Sequence, residues 1–94
     1  MTIIVKFIGS LRNFFGESNA IFNCENEISI KELINRIINK KPNIKEILIS
    51  SRNDEFQLNS LVLVNGVEIS VLRGLETKLS NGDKITLIPV IHGG

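Results

Sequence analysis

Apolar residues alternate with polar ones at the beginning of the chain, which is the pattern of a β-strand. Over residues 2–9, the odd positions from Ile3 to Phe7 share one face. Ile4 and Ile8 fall on the opposite face, so both faces are partly apolar. A strand of this kind is expected near the centre of a sheet, where more than one neighbour covers it.

A helix is predicted over residues 30–40. Ser29 and Glu32 are spaced as a capping box: the Ser29 oxygen can accept a hydrogen bond from the Glu32 NH, and the Glu32 carboxylate can reach back to the Ser29 NH. Ile28 before the cap and Leu33 after it are spaced as a hydrophobic staple. The apolar residues that follow at helical spacing form one buried stripe, made of Ile30, Leu33, Ile34, Ile37 and Ile38.

Turn signals divide the rest of the chain into short elements. Asn65-Gly66 lies between the apolar run 61–64 and residues 67–69, and this dipeptide is a strong signal for a hairpin with a type I′ turn. Residues 84–90 form the predicted last strand. Other patterns predict a strand over residues 19–24, helical turns over residues 10–16 and 44–48, and a polar loop over residues 50–59.

The order of these elements is strand, strand, helix, strand, short strand, strand, which predicts an α+β fold. A single amphipathic helix has to bury its stripe against a sheet, and this arrangement is the ubiquitin-like β-grasp. We expect a mixed sheet of four to five strands packed on one main helix. With 94 residues the chain suffices for one domain. We assign that domain to residues 1–90 and a flexible tail to residues 91–94.

Composition and charge argue against several classes of function. Eleven basic and ten acidic residues give a net charge of +1, and Trp and Tyr are absent, which does not match a nucleic-acid-binding protein. Cys24 is the only cysteine and His92 the only histidine, so neither a structural zinc site nor a disulfide framework is expected. No apolar run has the length of a membrane span. We expect a cytoplasmic protein without a bound metal or cofactor.

The candidate chemistry lies in residues 90–94. In extended form these five residues reach roughly 17 Å, and the pair Gly93-Gly94 has no side chains to obstruct a narrow channel. A carboxyl group at Gly94 has an ordinary pKa of about 3.3–3.7, so it is ionised at neutral pH and is a poor acyl donor. ATP can activate it as an acyl-adenylate, and sulfur can then displace the nucleotide. We therefore expect Gly94 to be the reactive residue and Gly93 to provide clearance.

Four segments resemble the sulfur carriers and modifiers of the ubiquitin superfamily. They are FIGSLR at residues 7–12, LVNG at residues 63–66, LSNGD at residues 79–83 and the final GG. That family comprises the small subunit of molybdopterin synthase, the sulfur carrier of thiazole biosynthesis and the ubiquitin-related modifier. His92 directly before the glycines is most similar to the ubiquitin-related modifier.

The resemblance implies a carrier or modifier protein and not an enzyme. A partner of the ubiquitin-activating type would adenylate Gly94 with ATP, and a sulfur donor would convert it to a thiocarboxylate. The carried sulfur would serve tRNA thiolation, or the carboxyl group would be conjugated to lysines of target proteins. Two alternatives stay open. One is a small subunit held by the large subunit of molybdopterin synthase, and the other is a β-grasp binding module with an inert tail.

A docking surface for the activating enzyme is predicted beside the tail. Ile4, Ile8, Ile88 and Val90 lie together if the first and last strands are neighbours, and contiguous exposed apolar residues mark interfaces. The alternative interpretation is that the region 43–59 covers these residues.

Three further residues carry alternative interpretations. His92 contacts the partner's channel, or it is a solvent-exposed tail residue without a role. Cys24 is predicted to be a small, buried, inert strand residue rather than a redox or thioester site. Arg12 is predicted to be an exposed loop residue rather than a contact for an acidic group.

Overall fold

The computed structural model describes residues 1–52 and 55–90. In chain order its strands and α-helices are β1 (Thr2–Phe7), α1 (Ser10–Phe15), β2 (Asn19–Asn23), α2 (Ile30–Lys40), α3 (Lys45–Leu48), β3 (Ile49–Arg52), β4 (Glu55–Leu58), β5 (Ser60–Val64), β6 (Val67–Glu68) and β7 (Lys84–Pro89). Short 3₁₀ segments are formed by Pro42–Ile44, Ile69–Val71 and Gly74–Glu76.

β1 lies near the centre of a mixed five-stranded sheet with the order β2-β1-β7-β5-β6. It is antiparallel to β2 and parallel to β7, so that Val5 has Ala20 on one side and Ile85 on the other. β5 lies antiparallel between β7 and β6. β1 is therefore a central strand of the sheet, as predicted. The predicted β-grasp fold is confirmed.

α2 has the predicted bounds and begins at the predicted cap. The Ser29 Oγ accepts a hydrogen bond from the Glu32 NH at 3.2 Å, and the Ser29 hydroxyl lies 3.3 Å from the Glu32 carboxylate, to which it donates. Ile28 and Leu33, the predicted staple, are both buried. The helix stripe and the odd positions of β1 belong to one buried core, and Ile38 packs at its edge.

The turn between β5 and β6 has the geometry that the sequence predicts. Asn65 and Gly66 have φ angles of 50° and 85°, and a type I′ turn requires positive φ at both positions. The Asn65 side chain also ties this turn to the beginning of β7. Its amide donates to the Asp83 carboxylate at 3.0 Å, and its oxygen accepts from the Lys84 NH at 2.9 Å.

The prediction of a loop over residues 50–59 is wrong, because most of this stretch forms the hairpin β3–β4. Ile49 is opposite Leu58, and Ser50 is opposite Gln57. The two strands pair with each other and not with the main sheet. Polar residues dominate them, so the sequence lacks the apolar alternation by which a half-buried strand is recognised. Ile49 and Leu58, at the base of the hairpin, pack against the core.

Other elements differ in their extent. The helical turn predicted over residues 10–16 is the helix α1, in which Leu11 and Phe15 are buried and Phe14 is exposed. Arg12 is exposed as predicted, but on this helix and not in a loop. Among residues 1–52 and 55–90, none of the helices has the length and apolar content of a membrane span. The predicted tail, residues 91–94, lies outside the described residues, so the division at residue 90 stays a prediction.

Candidate partner-binding face and tail root

The outer face of the sheet, opposite the core, carries the predicted docking residues. Phe7 of β1 is opposite Leu87 of β7, and the Ile8 NH donates to the Leu87 carbonyl at 3.0 Å. Ile8 therefore lies beside Ile88. On the other side of β7, Leu61 of β5 is opposite Ile88. We call Ile8, Ile88 and Leu61 the tail-side strip, because the row crosses three strands at the end where β7 finishes.

The tail-side strip is accessible to a partner. Ile8 and Ile88 are half-buried, and Leu61 is 43% exposed. Val90 follows Ile88 at the spacing of one strand face and is 41% exposed. The structure therefore brings together three of the predicted docking residues, directly where the chain leaves the sheet.

Ile4 lies on the same face but at its opposite end. Its neighbours are Ile21 of β2 and Lys84 of β7, and Ile21 is 62% exposed. Ile8 of the tail-side strip follows Ile4 by four positions, a rise of about 13 Å for extended chain, and the exposed Lys6 stands between them. The prediction that Ile4 and the tail-side residues form one patch is therefore wrong, because strand length keeps them apart.

Leu61 is a surface residue that the sequence analysis missed. A signal was available in the apolar run 61–64, because successive side chains of a strand point to opposite faces. Val62 and Val64 are buried, so Leu61 and Leu63 have to face outward. The sequence gives no sign, however, that β5 pairs with β7 and so places Leu61 beside the last strand.

The end of β7 is held on both sides at what we call the tail root, formed by Gly9, Asn59, Pro89 and Val90. The Val90 NH donates to the Asn59 carbonyl at 3.1 Å, and the Asn59 NH donates to the Leu48 carbonyl at 2.8 Å. On the other side, Pro89 lies against the backbone of Gly9: a β-carbon on Gly9 would stand 3.3 Å from the Pro89 Cγ. The direction in which the chain leaves the sheet is therefore constrained.

Two clefts meet at Val90. One lies beside the beginning of α1 and is lined by Gly9, Ser10, Glu46, Ile47, Asn59 and Pro89. The other lies beside β5, where Leu58, Ser60, Ile69 and Leu75 contribute to its lining. The Ser60 Oγ is buried and has no hydrogen-bond partner within the described part of the chain.

Charges on the outer face are few and mixed. Lys6 and Lys84 are exposed near Ile4. At the far side of the sheet, the Glu68 carboxylate accepts hydrogen bonds from Ser70. The Ser70 hydroxyl, and to a smaller extent the Ser70 backbone NH, lower the pKa of the Glu68 carboxyl below its ordinary value. Glu68 is therefore anionic at neutral pH.

The other candidate residues do not join this face. Cys24 is buried and free, in agreement with an inert structural residue. His92, Gly93 and Gly94 lie outside the described residues, so their predicted roles stay predictions. Across residues 1–52 and 55–90, no three His, Cys, Asp or Glu side chains are grouped so that they could hold a metal ion.

Comparison with known families shows what kind of protein presents this face. The sequence profile of the ThiS family matches residues 5–94, which is nearly the whole chain. The chain belongs to the ThiS family. The family predicted from the sequence, that of the ubiquitin-like sulfur carriers and modifiers, is thereby confirmed. No curated protein sequence matches this ThiS-family chain significantly.

Solved structures agree with this assignment. Small archaeal modifier protein 1 of Methanosarcina acetivorans is 26% identical, with a TM-score of 0.83. The match covers 99% of this chain and 96% of the Methanosarcina chain. A putative molybdopterin converting factor, subunit 1, of Pyrococcus furiosus is 20% identical, with a TM-score of 0.78 over 97% and 99% of the two chains. Urm1 of Trypanosoma brucei is 23% identical, with a TM-score of 0.65 over 99% and 95%. At their lower identities, the last two likenesses concern the fold alone.

Proposed function

We propose that this chain is a sulfur carrier and protein modifier whose carboxyl group at Gly94 is activated by a partner adenylating enzyme in the cytoplasm. The observation that carries the proposal is the tail-side strip. It is a partly exposed apolar surface, and it adjoins the strand end that leads to Gly93-Gly94. Membership of a family of ubiquitin-like carriers supports the same function.

The proposed chemistry needs only the carboxyl group and a partner that binds ATP. A Gly94 carboxylate oxygen attacks the α-phosphorus of ATP, pyrophosphate leaves, and an acyl-adenylate forms. Sulfide from a sulfur donor then attacks the acyl carbon, the bond to AMP breaks, and AMP leaves with the electron pair. The sulfide proton passes to solvent and a thiocarboxylate remains. If a lysine amine of a target protein attacks the acyl carbon of the adenylate instead, the bond to AMP breaks, AMP leaves with the electron pair, the amine loses a proton to solvent, and the product is an isopeptide.

The body of the protein would act by docking. Four residues follow Val90, and in extended form they span about 13–14 Å. The sheet can therefore stay outside the partner while Gly94 reaches a buried nucleotide. Burial of the tail-side strip would supply apolar contact at the mouth of the channel, since interface cores are enriched in apolar residues.

Intact-mass measurement tests the proposal directly. The protein is incubated with a cognate activating enzyme, ATP and sulfide, and we expect the mass increment of an oxygen-to-sulfur exchange. A variant that lacks Gly94 is the matched control and should keep its mass. An unchanged mass of the full chain, under conditions in which a related carrier reacts with the same enzyme, would contradict the proposal.

The same preparation distinguishes the alternatives that the sequence leaves open. Covalent adducts of the chain on lysines of other proteins would identify a modifier. Stable co-purification with a large subunit that accepts the carried sulfur would identify the small subunit of a molybdopterin synthase. Full function of a chain without Gly93-Gly94 would identify a binding module whose tail is inert.

A further inference from the structure

β2 is an edge strand whose outer side is open. Within the described residues, no strand pairs with it on the side away from β1. At its two ends the Phe7 NH donates to the Ser18 carbonyl and the Cys24 NH to the Met1 carbonyl, both at 2.8 Å. Because the backbone groups of successive strand residues point to alternate sides, every second residue of β2 points away from β1. The residues that turn their NH and C=O groups outward are Asn19, Ile21 and Asn23.

This edge lacks the features by which sheets usually prevent pairing with another chain. Those features are very short edge strands, charged side chains and proline. β6, at the other edge of the sheet, has only two residues, but β2 has five, and none of them is charged or a proline. At its centre Ile21 is largely exposed. Ile21 lies opposite Ile4 in a pair that exchanges no backbone hydrogen bonds, which brings the two side chains close together.

We infer that β2 pairs with β2 of a second copy of this chain, antiparallel and about a two-fold axis at Ile21. In this register the two Ile21 residues are opposite each other, and Asn19 of each copy is opposite Asn23 of the other. Each of these three pairs can exchange two backbone hydrogen bonds, and no like charges are opposed within the strands. On the outer face, Ile4 and Ile21 of one copy would continue into Ile21 and Ile4 of the other.

The ends of the paired strands would carry charges of both signs. Outside β2, Glu17 of one copy comes opposite Glu25 of the other, and both are exposed. The Arg36 guanidinium donates to the Asn23 carbonyl at 3.3 Å, so it lies at this end of the edge and offsets the two carboxylates. A carbonyl oxygen has two lone pairs. The Asn23 carbonyl can therefore accept from Arg36 and from Asn19 of the second copy at the same time.

The pairing closes at two copies and leaves most of the tail-side strip uncovered. Each copy has one such edge, and an isologous pairing occupies it in both, so no filament grows from the dimer. Ile88 and Leu61 lie on β7 and β5, which are two and three strands away from β2. Dimerisation and docking therefore use different parts of the sheet, and this inference does not depend on the proposed function.

Sedimentation equilibrium of the full chain, from micromolar to millimolar concentration, tests the dimer. We expect an equilibrium of monomer and dimer without larger species. Ile21→Lys would place two ammonium groups opposite each other, and the dimer Kd should rise about tenfold or more, while circular dichroism shows an unchanged fold. Val71→Lys is the matched control, because Val71 is also an exposed apolar residue but lies in the 3₁₀ segment Ile69–Val71. Its Kd should stay within about twofold of the wild type.

A wild type that remains monomeric at millimolar concentration would overturn the inference. So would species larger than a dimer, or an equal rise of Kd in Ile21→Lys and Val71→Lys.

Cysteine cross-linking tests the register. In an antiparallel pair that exchanges hydrogen bonds the opposing Cα atoms are about 5.5 Å apart, which is within the range of a disulfide. Diamide should therefore oxidise Ile21→Cys to a covalent dimer. The wild type is the blank, because its Cys24 is buried.

Asn19→Cys is the control on the same strand. In the proposed register the two Asn19 residues are four positions apart, about 13 Å along the strand, so this variant should not cross-link with itself. An equal mixture of Asn19→Cys and Asn23→Cys should form the mixed dimer. If Ile21→Cys cross-links no faster than Asn19→Cys, the two-fold pairing at Ile21 is wrong.

Discussion

Leu61 and Leu87 lie on neighbouring strands and on opposite faces of the sheet, so the same substitution at each separates docking from folding. Leu87 is completely buried. Its replacement by alanine removes about three methylene equivalents, or ~2.4 kcal/mol of transfer free energy, and leaves a cavity. We expect the free energy of unfolding to fall by about 3 kcal/mol or more. For a domain of this size that corresponds to a melting temperature lower by roughly 12–24 °C.

Leu61→Ala removes the same ~2.4 kcal/mol of transfer free energy, but part of it affects folding and the rest affects binding to the partner. With 43% of the residue exposed, Leu61→Ala should lower the free energy of unfolding by about 1.4 kcal/mol, because the face is open and leaves no cavity. The remaining ~1.0 kcal/mol would be lost only on docking. That corresponds to a roughly fivefold higher KM for the activating enzyme at unchanged kcat.

Leu72→Ala is the matched control for this prediction. Leu72 is 44% exposed, almost as much as Leu61, but it follows a 3₁₀ segment and does not belong to the outer face. Stability is measured by urea unfolding with circular dichroism, because the chain has no tryptophan or tyrosine to report by fluorescence. The reasoning is refuted if Leu61→Ala and Leu72→Ala raise KM equally, or if Leu87→Ala is no more destabilising than Leu61→Ala.

Three further predictions concern local features of the fold. Ser29→Ala removes the cap of α2 and should lower the free energy of unfolding by about 1 kcal/mol; an unchanged urea midpoint would contradict the assigned cap. Gly66→Ala places a β-carbon at φ 85° and should cost about 1–2 kcal/mol, which thermal unfolding would detect; a shift of less than a degree or two would show that the turn adapts. The folded-state pKa of Glu68 is lowered, so its stabilising effect is present above about pH 4.3, its unfolded value, and is lost as the pH falls through the lower folded value. The stability difference between wild type and Glu68→Gln should therefore vanish in acid, and a difference that does not depend on pH would refute the assignment.

Local signals in the amino-acid sequence were enough to define several elements. The capping pair Ser29 and Glu32 marks the beginning of α2, because the capping hydrogen bond joins residues only three positions apart and can be read from the local sequence. Asn65-Gly66 specifies the hairpin turn, since positive φ is a property of single residues. The final Gly93-Gly94 and the resemblance that goes with it indicated the family, which the match over residues 5–94 confirms.

Which segments lie side by side became visible only in the folded chain. The parallel pairing of β1 with β7 and the antiparallel pairing of β5 with β7 bring Ile8 and Leu61 to the two sides of Ile88, although these residues are far apart in sequence. Ile4 has the same alternation as Ile8 and yet lies about 13 Å away. The hairpin β3–β4 and the contact of Gly9 with Pro89 likewise depend on pairing and on packing between distant segments. Periodicity gives the face of a strand, but register and neighbour order come from long-range packing.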